Sequence, residues 1–151
     1  MFFGLPLHPL LVHAAVVLLS VTGVAVLVCL VLRRFRAWLG WGMGVLGGLT
    51  AATAFLTKRS GEDLLGDPSL AVGDLRTHTH WGGWTGIVGM VFGVVTVLLW
   101  AVTSPAVLRR LPVLDRPVVR GVVMVVAAGL ALATLVLTAL AGHSGATSVW
   151  G

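Results

Sequence analysis

Five histidines are almost the only side chains in this chain that could bind a ligand or catalyse a reaction. Its 151 residues include ten basic residues, five acidic residues, one cysteine and no tyrosine. Imidazole is the commonest metal ligand and titrates near neutral pH. The histidines are His8, His13, His78, His80 and His143. What they can do together depends on whether the fold brings them to one place.

The composition indicates a membrane as the solvent of this chain. It is 58% hydrophobic and only 10% charged, whereas globular proteins are roughly a quarter charged. Four stretches contain no Asp, Glu, Lys or Arg: residues 1–32, 37–57, 77–108 and 121–151. Each is long enough for a span of about 20 apolar residues, and backbone groups in lipid must be paired within a helix.

We therefore predict an all-α integral membrane bundle of four transmembrane helices in a single domain, residues 1–151. The helices are expected near residues 9–32, 38–57, 82–103 and 119–141. Nothing basic precedes the first stretch and no small-x-small cleavage site follows it, so it is interpreted as an uncleaved span.

Arginine determines the predicted orientation. One cluster follows the first helix and a second lies between the third and fourth, where Asp115 is the only opposing acid: Arg33, Arg34 and Arg36, then Arg109, Arg110, Arg116 and Arg120. Cytoplasmic loops are enriched in Lys and Arg, so both termini and the segment 58–81 are expected to be extracytoplasmic. The net charge of +5 reflects this asymmetry and does not indicate nucleic-acid binding.

Small residues four positions apart indicate close helix packing. Gly40, Gly44, Gly48 and Ala52 form such a ladder on the second helix, and Gly82, Gly86, Gly89 and Gly93 form two shorter ones on the third. Such residues let helix backbones approach in lipid, or leave room for a flat cofactor. Each half of the chain consists of a helix, an arginine-rich segment and a helix, a faint two-fold pattern without a residue-level repeat.

The histidines lie near predicted helix ends on the same side of the membrane. His8 is at the entry of the first helix, beside Pro9, which suits a first turn, and His13 lies about one turn deeper. His78 and His80 open the third helix about 200° apart, so one of them can face the bundle; His78 is favoured. His143 follows Gly142, where the fourth helix is predicted to end.

Each of these residues also has a simple structural interpretation. His8 can make an interfacial hydrogen bond, and His143 can cap a helix C-terminus. His13 is harder to explain in this way, because an ionisable residue inside a span indicates function by default. Glu62 and Asp63, at the outer end of the second helix, fit a solvated loop. Cys29 fits a small buried hydrophobe.

Two motifs and two shorter features carry a resemblance to a known family. The motifs are Gly4-Leu5-Pro6-Leu7-His8-Pro9-Leu10-Leu11-Val12-His13 and Gly142-His143-Ser144-Gly145-Ala146 with Val149-Trp150-Gly151; the features are the step Ser60-Gly61-Glu62 and the histidine opening the third helix. Together they resemble the bacterial four-helix membrane proteins of domain-of-unknown-function family 2231. The resemblance implies that His8, His13, His143 and one of His78 or His80 belong to a shared pattern, and that the protein lies in the bacterial cytoplasmic membrane.

Two kinds of cofactor suit such a histidine-lined site. The favoured one is b-type haem, which needs axial imidazoles and a slot between helices; His8, His13, His78 and His143 are its candidate ligands. The alternative is a Zn or Cu ion held by His13, His78, His80 and His143, with Glu62 or Asp63 completing the shell. The absence of a C-x-x-C-H motif excludes ordinary c-type attachment.

Other classes of function stay open. Gly142-His143-Ser144-Gly145 echoes the G-x-S-G of membrane serine proteases, but the chain is interpreted as not an enzyme by itself. A non-catalytic accessory subunit, whose histidines only tie helix ends together, is a further alternative. An outer-leaflet site would suit electron exchange with quinol or an extracytoplasmic redox partner, and a homo-oligomer is compatible with the sequence.

Overall fold

The computed structural model describes residues 7–65 and 76–150, and every regular element within them is a helix. The elements are α1 (Leu7–Val31), α2 (Arg33–Leu39), α3 (Gly42–Leu65), α4 (Arg76–Ala101), α5 (Pro105–Leu108), a 3-10 turn (Pro112–Asp115) and α6 (Pro117–Trp150). Residues 1–6, 66–75 and 151 lie outside the described residues. They include residues 4–6 of the first motif, residue 151 of the second, and the acids Asp67 and Asp74 of the segment 58–81.

The helices have the length and composition of membrane spans. α1, α4 and α6 are each long and apolar enough to cross a bilayer, and α2 with α3, bent by 75°, is a fourth candidate if the pair is one span. Valines on the outer faces of α1 and α6 are exposed, among them Val17, Val24, Val125 and Val136. Helices that are apolar on all sides are typical of lipid surroundings. The protein is thus all-helical and membrane-embedded, with three to four helices able to span.

The four long helices form a ring in the order α1, α3, α4, α6, so that α1 and α4 are diagonal to each other. Successive helices run in opposite directions. The starts of α1 and α4 therefore meet the ends of α3 and α6 at one end of the bundle, here called the histidine end. All five histidines lie there. The other end, with α2, α5 and the 3-10 turn, carries Arg33–Arg36 and Arg109–Arg120 and is called the arginine end.

Several helix boundaries differ from the prediction. α4 begins at Arg76 rather than near residue 82, and α6 continues to Trp150 rather than ending near residue 141. Gly142 marks the predicted end of the fourth helix, but a glycine inside a helix costs only about 1 kcal/mol, which tertiary packing can offset. Glu62 and Asp63 lie within α3, not in a loop.

The second predicted helix is broken at its start. Gly40 has a φ of +51°, a conformation that favours glycine, and it ends α2 before α3 begins at Gly42. The predicted ladder holds at Gly44, which packs against Trp100 of α4, but not at Gly48, which faces open space; Gly47 packs against α4 instead. A β-carbon added at Gly93 would lie 2.5 Å from the backbone nitrogen of Ala51. The backbones of α3 and α4 are therefore in direct contact, as small residues allow in lipid.

Most buried residues on the long helices follow a heptad spacing. Those on this seam are Ala15, Leu19, Thr22, Val26 and Cys29 on α1; Met43, Gly47, Thr50 and Ala54 on α3; Thr85, Gly89, Phe92, Thr96 and Leu99 on α4; and Ala127, Ala131, Thr134 and Thr138 on α6. Alternating steps of four and three residues keep one seam facing the neighbouring helices. Cys29 is fully buried in this core, which confirms its predicted role as a small hydrophobe.

The contacts along this seam reveal a pseudo-two-fold relation that exchanges α1 with α4 and α3 with α6. A β-carbon at Gly23 of α1 would meet Leu135 of α6, and one at the equivalent Gly93 of α4 would meet the equivalent Ala51 of α3. Leu19 and Gly89 exchange places under the same relation and lie in contact. A β-carbon added at Gly89 would lie 2.8 Å from a methyl carbon of Leu19. The axis thus runs between them, along the length of the bundle.

Candidate functional site

The candidate site lies one heptad beyond the last buried seam residue of each long helix, at the histidine end. The next seam positions are His8 on α1, Gly61 on α3, His78 on α4 and Gly145 on α6. The two imidazoles come from diagonal helices, and the two glycines come from the other diagonal. The pseudo-two-fold relation exchanges His8 with His78 and Gly61 with Gly145.

The His8 ring is held against α3. Its Nδ1 lies 3.0 Å from the hydroxyl of Ser60, and that hydroxyl donates a hydrogen bond to the carbonyl of Thr57 at 2.9 Å. A β-carbon at Gly61 would lie 3.0 Å from Cε1 of the same ring. A second bond joins the two helices nearby, from the Thr57 hydroxyl to the Leu11 carbonyl. His8 therefore sits in a glycine-lined notch with one nitrogen engaged.

The His78 ring occupies the equivalent notch on α6 but without the hydrogen bond. A β-carbon at Gly145 would lie 3.1 Å from both Cε1 and Nδ1 of His78. The Nδ1 atom is buried and has no hydrogen-bond partner within the described part of the chain. Ser144, the equivalent of Ser60, is buried and donates to the carbonyl of Ala141.

The other three histidines lie off the seam. His13 is exposed, about 140° around α1 from His8, and its Nδ1 lies 2.6 Å from the Pro9 carbonyl in the preceding turn. His80 is exposed and makes an edge contact with Trp81 at a centroid distance of 5.1 Å. His143 is exposed on α6, about 200° from Gly145. The structure thus places His8 and His78 at seam positions at one end of the bundle and leaves the other three histidines exposed.

The carboxylates considered as metal ligands are also directed elsewhere. Glu62 is exposed and forms an ion pair with Lys58, one turn earlier on α3. Asp63 is exposed as well. In the ranges 7–65 and 76–150, no group of three or more His, Cys, Asp or Glu side chains is arranged to hold a metal ion.

Sequence reasoning recognised the histidines but not the residues that position them. Ser60, Gly61 and Gly145 contact the two rings, and they were noted only as parts of motifs. Two signals in the sequence point to them. The first is the dipeptide Ser-Gly, which occurs twice, at 60–61 and 144–145. The second is the heptad, since counting back seven residues leads from Thr85 to His78 and from Ala15 to His8.

Comparison with known proteins adds no relative, since no family model, no curated protein and no solved structure matches the chain. The resemblance to domain-of-unknown-function family 2231 therefore stays a prediction. The case for function rests on the geometry of the histidine end.

Proposed function

We propose that the protein binds b-type haem through His8 and His78 at the histidine end of the bundle and serves in electron transfer. The observation that carries the proposal is the placement of these two imidazoles at seam positions of diagonal helices, each packed against a glycine at the same end of the bundle. These two imidazoles would hold the haem iron. Four-helix bundles commonly hold cofactors between facing helices.

The residues at this end fit haem in three respects. The donor atoms are imidazole nitrogens, which suit iron. Each ring packs against a glycine, so no β-carbon at Gly61 or Gly145 occupies the space beside the ring. The buried Nδ1 of His78 has no partner in the described residues, and a buried polar atom without a partner is costly unless a ligand or water satisfies it.

Bound haem would supply a one-electron carrier, and the protein's own residues would position it. His8 is held by Ser60 and the close approach of Gly61, whereas His78 packs against Gly145 and its Nδ1 has no hydrogen-bond partner in the described residues. The apolar outer faces of α1 and α6 would exclude water from the flanks of the site, and the hydrophobic shell around an iron centre tunes its potential.

The proposed orientation places the histidine end outside the cytoplasm, because the two arginine clusters lie at the other end. A site at the outer leaflet of a bacterial cytoplasmic membrane would suit exchange with quinol or an extracytoplasmic redox partner. A reporter active only in the cytoplasm, fused after residue 151, tests the orientation; a strong signal would contradict it.

Visible spectroscopy on four matched variants tests the haem proposal. Protein produced with ample haem is expected to show sharp bands on reduction. Because His8 and His78 supply the ligands, His8→Ala and His78→Ala should lose or strongly alter these bands, whereas His13→Ala and His143→Ala should retain them. A colourless wild-type protein would contradict the proposal, as would bands that survive in both seam variants and vanish in His13→Ala.

Metal-ion binding at the same end is the second candidate, and Glu62 discriminates between the two. A closed Zn or Cu site usually needs four ligands, so a bare-ion site would require Glu62 or Asp63 to leave its present position. Under the haem proposal, Glu62→Gln should leave the visible spectrum and the metal content unchanged. A preparation without haem that contains near-stoichiometric zinc or copper, lost in Glu62→Gln, would favour the ion.

The His8–Ser60 hydrogen bond favours a third candidate, an accessory subunit. This bond joins α1 to α3 and could serve only to tie helix ends together. In that case His8→Ala would lower stability, and the wild-type protein would carry neither haem nor metal. The same spectra and a metal analysis therefore separate all three candidates.

A further inference from the structure

Ser60 and Ser144 are equivalent under the pseudo-two-fold relation, yet only one of them contacts a histidine. Both hydroxyls donate to the carbonyl three residues earlier, at 2.9 Å for Ser60 and 3.1 Å for Ser144. Ser60 also lies 3.0 Å from Nδ1 of His8, whereas Nδ1 of His78 has no partner among the described residues. The two imidazoles are therefore not chemically equivalent.

The hydrogen of the Ser60 hydroxyl determines what His8 must do. A serine hydroxyl has one hydrogen to donate and two lone pairs that accept. Because a carbonyl can only accept, the bond between Ser60 and Thr57 uses the Ser60 hydrogen. The Ser60 oxygen can then only accept from His8. Nδ1 of neutral His8 must then carry the ring hydrogen.

We infer that Ser60 is a positioning residue that fixes His8 in the Nδ1–H tautomer. The unprotonated Nε2 then carries the lone pair that can bind a metal. A neutral imidazole has one protonated nitrogen and one with a lone pair, and the hydrogen bond at one nitrogen selects the role of the other. Nδ1 of His78 has no such partner within residues 7–65 and 76–150, so no equivalent hydrogen bond there selects its tautomer. The effect of this arrangement on the affinity for a ligand rests on the proposed function, but the assignment of the tautomer does not.

Orientation of this kind matters for affinity. Histidine ligands in metalloproteins usually donate their second N–H to a fixed acceptor, which holds the ring in place and raises its basicity. Loss of such a partner typically weakens metal binding about 10–100-fold. Ser60→Ala is therefore expected to weaken haem binding by about this factor, while Ser144→Ala, the matched control, leaves binding unchanged.

Nitrogen NMR of protein labelled with ¹⁵N at histidine tests the tautomer directly. The haem-free protein is measured in detergent micelles above the titration range of imidazole, and the His8 signals are identified by their loss in His8→Gln. In the wild-type protein Nδ1 should show the shift of a protonated nitrogen and Nε2 that of an unprotonated one. Ser60→Ala should give a mixture of tautomers, Ser60→Thr should restore the wild-type pattern, and Ser144→Ala should leave His8 unchanged.

A wild-type His8 protonated at Nε2 would overturn the inference without any variant, as would a Ser60→Ala protein that keeps the Nδ1–H tautomer. Because the protein is haem-free, this result is independent of the proposed function. Failure of the wild-type protein to bind haem would refute the function and leave the tautomer assignment intact.

Discussion

The two halves of the bundle, α1 with α3 and α4 with α6, have the same plan but satisfy their polar groups differently. In the first half, Thr22 and Thr50 share a buried hydrogen bond of 2.8 Å, and His8 bonds to Ser60. In the second half the corresponding atoms, Thr134 Oγ1 and His78 Nδ1, are buried without a partner in the described residues. A common fold can thus pair polar groups in one half at positions that stay unpaired in the other, although the second half has its own bond between helices, from the Thr85 hydroxyl to the Leu137 carbonyl.

The cause of the difference is visible at one position. Phe92 occupies the place on α4 that corresponds to Thr22 on α1, so the second half has no hydroxyl at the position that pairs with Thr50 in the first half. Thr96 on α4 instead donates to a carbonyl of its own helix, that of Phe92. The first half thus gains a bond between helices, and the second half gains a large apolar side chain in the core.

The largest expected effect concerns the equivalent glycines Gly93 and Gly23. A β-carbon at Gly93 would lie 2.5 and 2.6 Å from two backbone atoms of α3 and 2.7 Å from the Ala51 β-carbon. At Gly23 its three nearest neighbours would all be atoms of the Leu135 side chain, at 3.0 Å and beyond. Backbone cannot yield as a leucine can, so Gly93→Ala should destabilise the protein by about 1–3 kcal/mol, the usual cost of overpacking. Gly23→Ala should be much milder. Unfolding by a denaturing detergent measures both.

Gly48→Ala is the control for that comparison, because the residue faces open space. Equal losses for the substitutions at Gly93 and Gly23 would contradict the proposed difference between the two helix contacts.

The next effect compares the equivalent threonines. Thr50→Val removes the partner of Thr22 and leaves a buried hydroxyl unsatisfied, which should cost about 1 kcal/mol. Thr134→Val removes a hydroxyl that has no partner among the described residues, so stability should stay unchanged or rise. Both variants conserve shape, and the same unfolding experiment measures them. A loss of stability in Thr134→Val equal to that in Thr50→Val would show that the two hydroxyls are equally satisfied.

At the histidine end the halves should respond alike, with the smallest effect on stability. Gly61→Ala and Gly145→Ala would each place a methyl group about 3.0–3.1 Å from an imidazole, so each ring must shift by a few tenths of an ångström. Both variants should alter the visible spectrum of the haem-loaded protein while unfolding nearly as the wild type does. Gly142→Ala, which meets open space, should change neither property. A spectrum altered by only one of the two would break the equivalence of the notches.

The sequence predicts the all-helical, membrane-embedded class because long apolar runs leave few alternatives. It predicts the seam less well, since Gly44, Gly47 and Gly48 are equally small, and only the contacts with α4 select Gly44 and Gly47 over Gly48. The end of α6 differs from the prediction for a similar reason. Gly142 is a local stop signal, yet the helix continues past it to Gly145, which packs against His78 in a contact that no local pattern encodes.

The site itself was predictable in part. His8 and His78 were identified as candidates from their places near helix starts, but so were His13 and His143, because position along a helix says nothing about the face. The heptad supplies that information, and it separates His8 from His13 although they are only five residues apart. The role of Ser60 depends on a hydrogen bond between α1 and α3, which exists only in the folded bundle.

Cross-linking between pairs of engineered cysteines tests the central claim, that the pseudo-two-fold relation brings His8 and His78 together and leaves His13 and His143 outside. In a Cys29→Ala background, His8→Cys with His78→Cys is compared with His13→Cys and His143→Cys, using a short bifunctional thiol reagent on membranes. We expect efficient intramolecular linkage for the first pair and little for the second. Linkage of His13→Cys with His143→Cys, but not of His8→Cys with His78→Cys, would contradict the account.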